Sequence, residues 1–199
     1  MTKISIVIIS YLMGCFTAGY YLVRFETGHD IRSMASGNAG SRNVGRMLGA
    51  RGFMLTFICD AGKGLLAVWL ARQVSSEGWF ETAVLLAVTA GHIWPVQLRF
   101  RGGKGIATFT GGMILLQPLV LLVCLVLCAL LYPLVRRTTI TALIVLGCSP
   151  LFMAAVPFFQ KIPLHAAQLL LYSLLVAMIL YAHRSNIRKE FCRDATAGE

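Results

Sequence analysis

Three polar stretches of the chain carry residue types suited to holding an anion. The first reads Ser36-Gly37-Asn38-Ala39-Gly40-Ser41-Arg42-Asn43-Val44-Gly45-Arg46. Its glycines can turn with positive φ and bring the backbone close to a ligand, and successive amides in such a turn form an anion nest. Ser36, Asn38 and Asn43 offer neutral hydrogen bonds. Arg46 adds a fixed planar charge that matches phosphate or carboxylate. A flexible, positively charged membrane-edge loop is the plainer alternative, and composition alone does not separate the two.

The second stretch is Phe100-Arg101-Gly102-Gly103-Lys104-Gly105-Ile106-Ala107-Thr108. Glycines ahead of a helix start, followed by a lysine, make a phosphate cradle in which free amides, helix dipole and ammonium act in one sense. The candidate ligands are Gly102, Gly103, Lys104, Gly105 and Thr108. The spacing is not a Walker A loop, because Leu98 stands where the first glycine is required and Gly105 follows the lysine, so a nucleotide triphosphatase is disfavoured. A glycine-rich turn with a basic anchor is the alternative. Just upstream, His92 reads more readily as a hydrogen-bonded packing histidine than as a base.

The third stretch is His183-Arg184-Ser185-Asn186-Ile187-Arg188. His183 and Asn186 are three apart, so a continuing helix would place them on one face; an interfacial anchor would look the same. A further polar group, Asp60-Ala61-Gly62-Lys63-Gly64, lies within an apolar run. Ionisable residues there are costly and usually paired. Asp60 and Lys63 could pair across three residues, or Lys63 could point its charge into a cavity.

The elements that must position these stretches follow from composition. Of 199 residues 57% are apolar and 13% charged, against roughly 25% charged in soluble domains. A soluble fold of this length could not enclose so much apolar surface, and a disordered chain, coiled coil or collagen-like fibre is excluded as well. The expectation is an all-α polytopic membrane protein forming a single membrane-embedded domain over 1–199. Cys124 and Cys128 read as packing residues, and without a Cys-x-x-Cys no zinc site is expected.

A bilayer core of about 30 Å needs about 20 apolar residues per helix. The candidate spans are 4–23, 53–72, 79–98, 140–159 and 164–182. The run 106–135 is too long for one ordinary span and short for two, and Gln117-Pro118 falls near its middle. The positive-inside rule favours two short crossings. With the N-terminus outside, Arg24, Arg32, Arg42, Arg46, Arg51, Arg99, Arg101 and Lys104 then share the cytoplasmic side with Arg136, Arg137 and the tail 184–199. Only Lys3, Arg72 and Lys161 remain outside. The reading is seven transmembrane helices, two of them short, with the C-terminus and all three polar stretches cytoplasmic. Lys3 and the Leu12–Cys15 segment loosely imitate a lipoprotein signal, but the Arg-rich loop that follows outweighs them, so cleavage is not expected.

Taken in order, Ser-Gly-Asn-x-Gly-x-x-Asn-Val-x-Arg, Asp-x-x-Lys-Gly, Gly-His-x-x-Pro with Gly-Gly-Lys-Gly-x-Ala-Thr, and His-Arg-x-Asn-Ile resemble the PlsY family of bacterial acyl-phosphate:glycerol-3-phosphate acyltransferases. The resemblance covers residues 4 to about 190. It implies a bacterial inner-membrane, multi-pass enzyme with its site at the cytoplasmic face. Such an enzyme moves a fatty acyl group from acyl phosphate to the 1-hydroxyl of glycerol 3-phosphate, giving lysophosphatidic acid and phosphate for phospholipid synthesis. Carried over by motif, Ser36 and Arg46 belong to the first site motif, Gly102 to Gly105 with Lys104 to the phosphate loop, and His183 and Asn186 to the last. Two departures stand out. The first motif often reads Gly-Asn-Pro-Gly-Ala-Thr-Asn, where this chain has Ala39, Ser41 and an extra Arg42. Ser185 replaces the acid that commonly precedes Asn186.

An acyl phosphate is already activated, so the work is to bring two anions together, orient a hydroxyl and stabilise an oxyanion. Arg46 and Lys104 are expected to hold phosphates. Ser36, Asn38, Asn43, Lys63 and Asn186 complete the expected ligand set. His183 is either a general base or a neutral positioning group; Ser36 as an acyl-carrying nucleophile is the weaker alternative, since no paired base is evident. The expected partners are glycerol 3-phosphate, acyl phosphate and membrane lipid, without cofactor, metal or nucleic acid. Thioester-dependent acyltransferases carry His-x-x-x-x-Asp, and no histidine here has an aspartate five residues on. Asp60 is read as the only acid inside any apolar span, which disfavours a two-metal site. A phosphate or organophosphate transporter is the non-enzyme rival, but it would want its polar groups near the midplane.

Overall fold

The computed structural model describes residues 2–161 and 163–188; the remainder of the expected tail, 189–199, lies outside the described residues. Regular structure among the described residues is helical throughout. It comprises α1 (Lys3–Cys15), α2 (Ala18–Thr27), α3 (Ser41–Val74), α4 (Gly78–Ile93), α5 (Ile106–Leu116), α6 (Pro118–Val135), α7 (Thr138–Gln160) and α8 (Ala166–Ala182). The stretches Lys3–Thr27, Ser41–Val74, Pro118–Val135 and Thr138–Gln160 are long and apolar enough to cross a membrane. The chain forms two compact units, Met1–Leu116 and Gln117–Glu199.

In the first unit α1 packs on α4 and α3 on α5, with α2 and the α3–α4 contact joining the pairs. Glycine lets these backbones touch. A Cβ on Gly14 would stand 2.1 Å from the Val88 carbonyl oxygen, and one on Gly91 equally close to that of Tyr11. Between α3 and α5 the reciprocal pair is Gly64 against the Thr108 carbonyl and Gly111 against that of Ala61. Between apolar helices in lipid, close packing of this kind replaces the hydrophobic drive that would hold them in water. The outward faces are apolar: Ile4, Ile8 and Leu12 form an exposed stripe on α1, while Ser10 and Gly14 point inward. Thr56, Thr82, Thr89 and Thr108 are buried among these helices.

The helix boundaries depart from the hydropathy pattern where backbone chemistry intervenes. The run 4–23 is two helices, broken at Phe16-Thr17, and the carbonyls freed at the break are taken by side chains. Lys63 Nζ donates to the Gly14 and Phe16 carbonyls at 3.1 and 2.8 Å, and Gln97 to that of Cys15. The span expected over 79–98 ends at Ile93, two residues before Pro95. The third helix begins at Ser41, inside what composition suggested was loop. It is kinked at Gly49, whose φ of 68° and ψ of −163° lie in a region essentially reserved for glycine. The two turns before the kink carry Arg42 and Arg46.

In the second unit α6 packs on α7 and α7 on α8. The 106–135 run is indeed interrupted: α5 stops at Leu116, Gln117 is non-helical at φ −152° and ψ 77°, and Pro118 opens α6. Proline at a first helical position gives up an amide that has no intrahelical partner. The Tyr172 hydroxyl donates to Ser149 Oγ at 3.0 Å, joining α8 to α7.

Candidate active site

The first polar stretch is a built loop. Asn43, 1% exposed, sits in the first turn of α3 and reaches back across it. Its Oδ1 accepts the Ser36 amide at 3.1 Å, and its Nδ2 donates to the carbonyls of Met34 at 3.1 Å and Ile31 at 3.4 Å. Ala39 is buried against Gly19 of α2, where a Cβ would lie 2.2 Å from the Ala39 carbonyl oxygen. Ala35 and Gly37 have positive φ, but the Ser36 amide goes to Asn43 Oδ1 and the Gly37 amide to the Met34 carbonyl at 2.9 Å, so the turn closes on itself and these two amides do not form the expected anion nest. Ser36 is thereby held at the surface, with Asn38 beside it. Below, Arg42 and Arg46 are one helical turn apart, both exposed. With Gly45, Gly49, Ala50 and Phe53 they line an open cleft of about 350 Å³. Glycine at 45 and 49 keeps the floor low and leaves the two guanidinium groups as its walls.

The second stretch is a tight return from α4 to α5. Arg99 and Phe100 both have left-handed backbone, with φ of 54° and 58°. The Gly102 amide donates to the Ile93 carbonyl and the Gly103 amide to that of His92, each at 3.0 Å. These two amides are therefore taken up within the protein, and Gly102 and Gly103 serve close approach rather than anion contact. Gly105, at φ 87°, turns the chain into α5. The first turn of that helix presents the amides a helix leaves unpaired. Lys104 is half-buried there. Thr108 is fully enclosed, and its hydroxyl has no hydrogen-bond partner among the described residues.

Arg32 joins the two stretches. It donates from one NH group to the Leu98 carbonyl at 2.7 Å and pairs with Asp30, NH2 to Oδ2, at 2.6 Å. Its guanidinium lies over the Tyr20 ring, 5.0 Å from the centroid. The Arg32 hydrogen bonds hold the Asp30 carboxyl below its ordinary pKa, with burial opposing. Sequence reasoning counted Arg32 only as a topological charge. Asp30, two residues away, was the signal available.

Lys63 differs from its expected role. It is buried, and its ammonium meets Asp60 Oδ1 at 2.9 Å and His92 Nδ1 at 2.7 Å besides the two α1 carbonyls. Asp60 and Lys63 thus pair as ionisable groups inside an apolar run should, and His92 is the hydrogen-bonded packing histidine its setting suggested. Glu81 lies inside the expected span 79–98 and is likewise buried, accepting from Arg72 Nε at 3.0 Å, so Asp60 is not the only acid within a span.

In the second unit His183 closes α8. Its Nδ1 lies 2.8 Å from the Ile179 carbonyl oxygen. A carbonyl only accepts, so Nδ1 carries a proton. The backbone continues helically past it, the Asn186 amide donating to the His183 carbonyl at 2.8 Å. Asn186 is half-buried one turn on.

Residues 4–192 match the family model described as glycerol-3-phosphate acyltransferase. The chain belongs to this family. A glycerol-3-phosphate acyltransferase of Clostridioides difficile is 36% identical over 191 residues, covering 94% of this chain and 90% of that protein. One from Desulforamulus reducens is 38% identical over 190 residues, with 94% and 90% covered. Among solved structures, the crystal structure of PlsY, an integral membrane glycerol 3-phosphate acyltransferase, in its glycerol 3-phosphate form is similar at a TM-score of 0.84 and 30% identity. It spans 96% of this chain and 92% of that one. The lysophosphatidic acid form gives 0.80 and 28%. The family resemblance read from the four motifs is thus upheld over nearly the whole chain. This glycerol-3-phosphate acyltransferase is an integral membrane protein of helices, as its composition required.

Proposed function

We propose that the protein transfers a fatty acyl group from acyl phosphate to the 1-hydroxyl of glycerol 3-phosphate, releasing lysophosphatidic acid and phosphate. The observation that carries this reading is the likeness, over 96% of the chain, to PlsY crystallised with glycerol 3-phosphate. In the reaction the hydroxyl oxygen bonds to the acyl carbon, the bond from that carbon to the phosphate oxygen breaks, and the hydroxyl proton leaves with a phosphate oxygen. Arg46 and Lys104 offset the repulsion between the two phosphates. The Ser36 hydroxyl, Asn38 and Asn186 orient substrate by hydrogen bonds, with Gly105 and the start of α5 contributing amides. His183, anchored through Nδ1 on the Ile179 carbonyl, acts as a positioning group for the substrate hydroxyl. Asn43 supports Ser36 from beneath, and Thr108 packs the start of α5.

The proposed setting is the bacterial inner membrane, crossed seven times, with the N-terminus outside and the site at the cytoplasmic face. The distribution of arginine and lysine supports it, and an interfacial site suits a reaction that joins a lipid tail to a water-soluble headgroup.

The deciding experiment supplies purified protein and glycerol 3-phosphate with acyl phosphate, acyl-CoA or acyl-carrier protein in turn, without added metal. Acyl phosphate should give equal amounts of phosphate and lysophosphatidic acid. Product from the thioesters alone, or phosphate release that does not depend on glycerol 3-phosphate, would overturn the reading.

A further inference from the structure

Lys63 is enclosed where α3, α4 and the break between α1 and α2 meet. An ammonium has three protons, and three hydrogen-bonding contacts account for them, with His92 Nδ1 and the carbonyls of Gly14 and Phe16, while Asp60 Oδ1 lies 2.9 Å away as the ion-pair partner. Nothing of it is left for a substrate. With Asp60 as counter-charge, Lys63 donates to His92 Nδ1, so the imidazole is neutral and its proton is on Nε2. That edge of the ring faces Gly103. A Cβ on Gly103 would lie 2.0 Å from Nε2 and 2.6 Å from Cε1. His92 also accepts the Gly103 amide through its own carbonyl at 3.0 Å, and a Cβ on Gly102 would lie 2.1 Å from that carbonyl oxygen. The glycine loop is thus held twice by one residue, once through the main chain and once by the ring edge.

We infer that His92, fixed by Lys63 and Asp60, is a positioning residue for the glycine loop: it seats Gly103 and so sets where Lys104 stands. The role rests on the proposed reading that Lys104 binds the phosphate of a substrate. It differs from mere packing, because the ring's place and tautomer are set by a buried charge pair on another helix and passed directly to the residue before Lys104.

The test is a size-compensation cycle on the full-length protein, read as steady-state kinetics in glycerol 3-phosphate. Gly103→Ala drives a methyl into the ring and should lower kcat/KM by about 10- to 100-fold, the scale of a displacement of about 1 Å. The loss should lie mainly in KM for glycerol 3-phosphate. His92→Ala alone should also raise that KM. The double variant His92→Ala/Gly103→Ala should recover at least about 10-fold over Gly103→Ala, since the methyl then has room. If His92→Ala does not fold, His92→Gln keeps an acceptor for Lys63 while removing the ring edge, and the same comparison decides. A double variant no better than Gly103→Ala, or a His92 variant with unchanged KM, overturns the inference. An inactive wild type with acyl phosphate overturns the proposed reaction instead, so the two failures are distinct.

Discussion

Asn43 holds Ser36 in place: its Oδ1 accepts the Ser36 amide at 3.1 Å while its Nδ2 ties down the carbonyls of Met34 and Ile31. All three of these hydrogen bonds run from the enclosed amide to the 31–36 turn. Asn43→Asp keeps the acceptor but removes the donors, and Asn43→Ala removes both. Leaving buried polar groups unsatisfied costs about 1–3 kcal/mol. Both variants should therefore unfold at lower temperature and lose activity together, with Ala and Asp alike. A thermal unfolding curve beside a kinetic assay checks this. An Asn43→Ala protein with unaltered stability and turnover would show that the turn does not depend on it.

Arg46 and Lys104 should fail in different ways from Asn43. Arg46 is exposed on the cleft wall, so it is not a support of the fold, and Lys104 is half-buried at the mouth of α5. Arg46→Ala should leave the unfolding temperature near wild type, and both Arg46→Ala and Lys104→Ala should raise KM for glycerol 3-phosphate or abolish turnover. Arg46→Lys should recover only part, because a lysine cannot reproduce the planar fork. Unchanged kinetics in both alanine variants would remove the anion site from the proposal.

The Asp30–Arg32 pair gives a pH prediction with a definite sign. Its carboxyl has a folded pKa below the ordinary value of about 3.9 because Arg32 hydrogen-bonds to it. Such a group contributes stability that is fully present above the unfolded pKa and is lost as pH falls through the folded one. The link from Arg32 to the Leu98 carbonyl should therefore persist at pH 5 and weaken only in stronger acid. Asp30→Asn should lower activity at neutral pH and flatten the acid dependence of stability below about pH 4. The readout is unfolding temperature against pH for both proteins. Parallel curves would mean that the pair contributes nothing measurable.

Much of this architecture is written in local chemistry. The spacing of glycine, lysine and asparagine around residues 36–46 and 102–105 marked both loops, and Gln117-Pro118 marked the break between α5 and α6. Long-range partnerships left no such trace. Arg32 finds Leu98 across 66 residues and Lys63 finds Gly14 across 49, and one-dimensional periodicity carries no information about either. Gly102 and Gly103 were misjudged for a related reason. A glycine that frees an amide for phosphate and one that lets a neighbouring ring approach look identical in sequence. The helical start at Ser41 was hidden by arginines, whose charge reads as loop although arginine is a good helix former.

The last prediction concerns the membrane path after α5. Eleven helical residues rise about 16 Å at 1.5 Å each, roughly half of a 30 Å hydrocarbon core. Helix α5 is too short to deliver the chain to the far side by itself. The break at Gln117 then lets α6, with 18 residues, run separately to Arg136 and Arg137. If α5 and α6 make one crossing, these two arginines lie outside, against the positive-inside rule. If they make two short crossings meeting near Pro118, both arginines return to the side of Arg99 and Arg101. A cysteine placed by Arg136→Cys, in a background without the natural cysteines, should react with a membrane-impermeant thiol reagent only when the cytoplasmic face is opened. Labelling from the outside of intact cells would show a single crossing and place the α7 N-terminus on the opposite face.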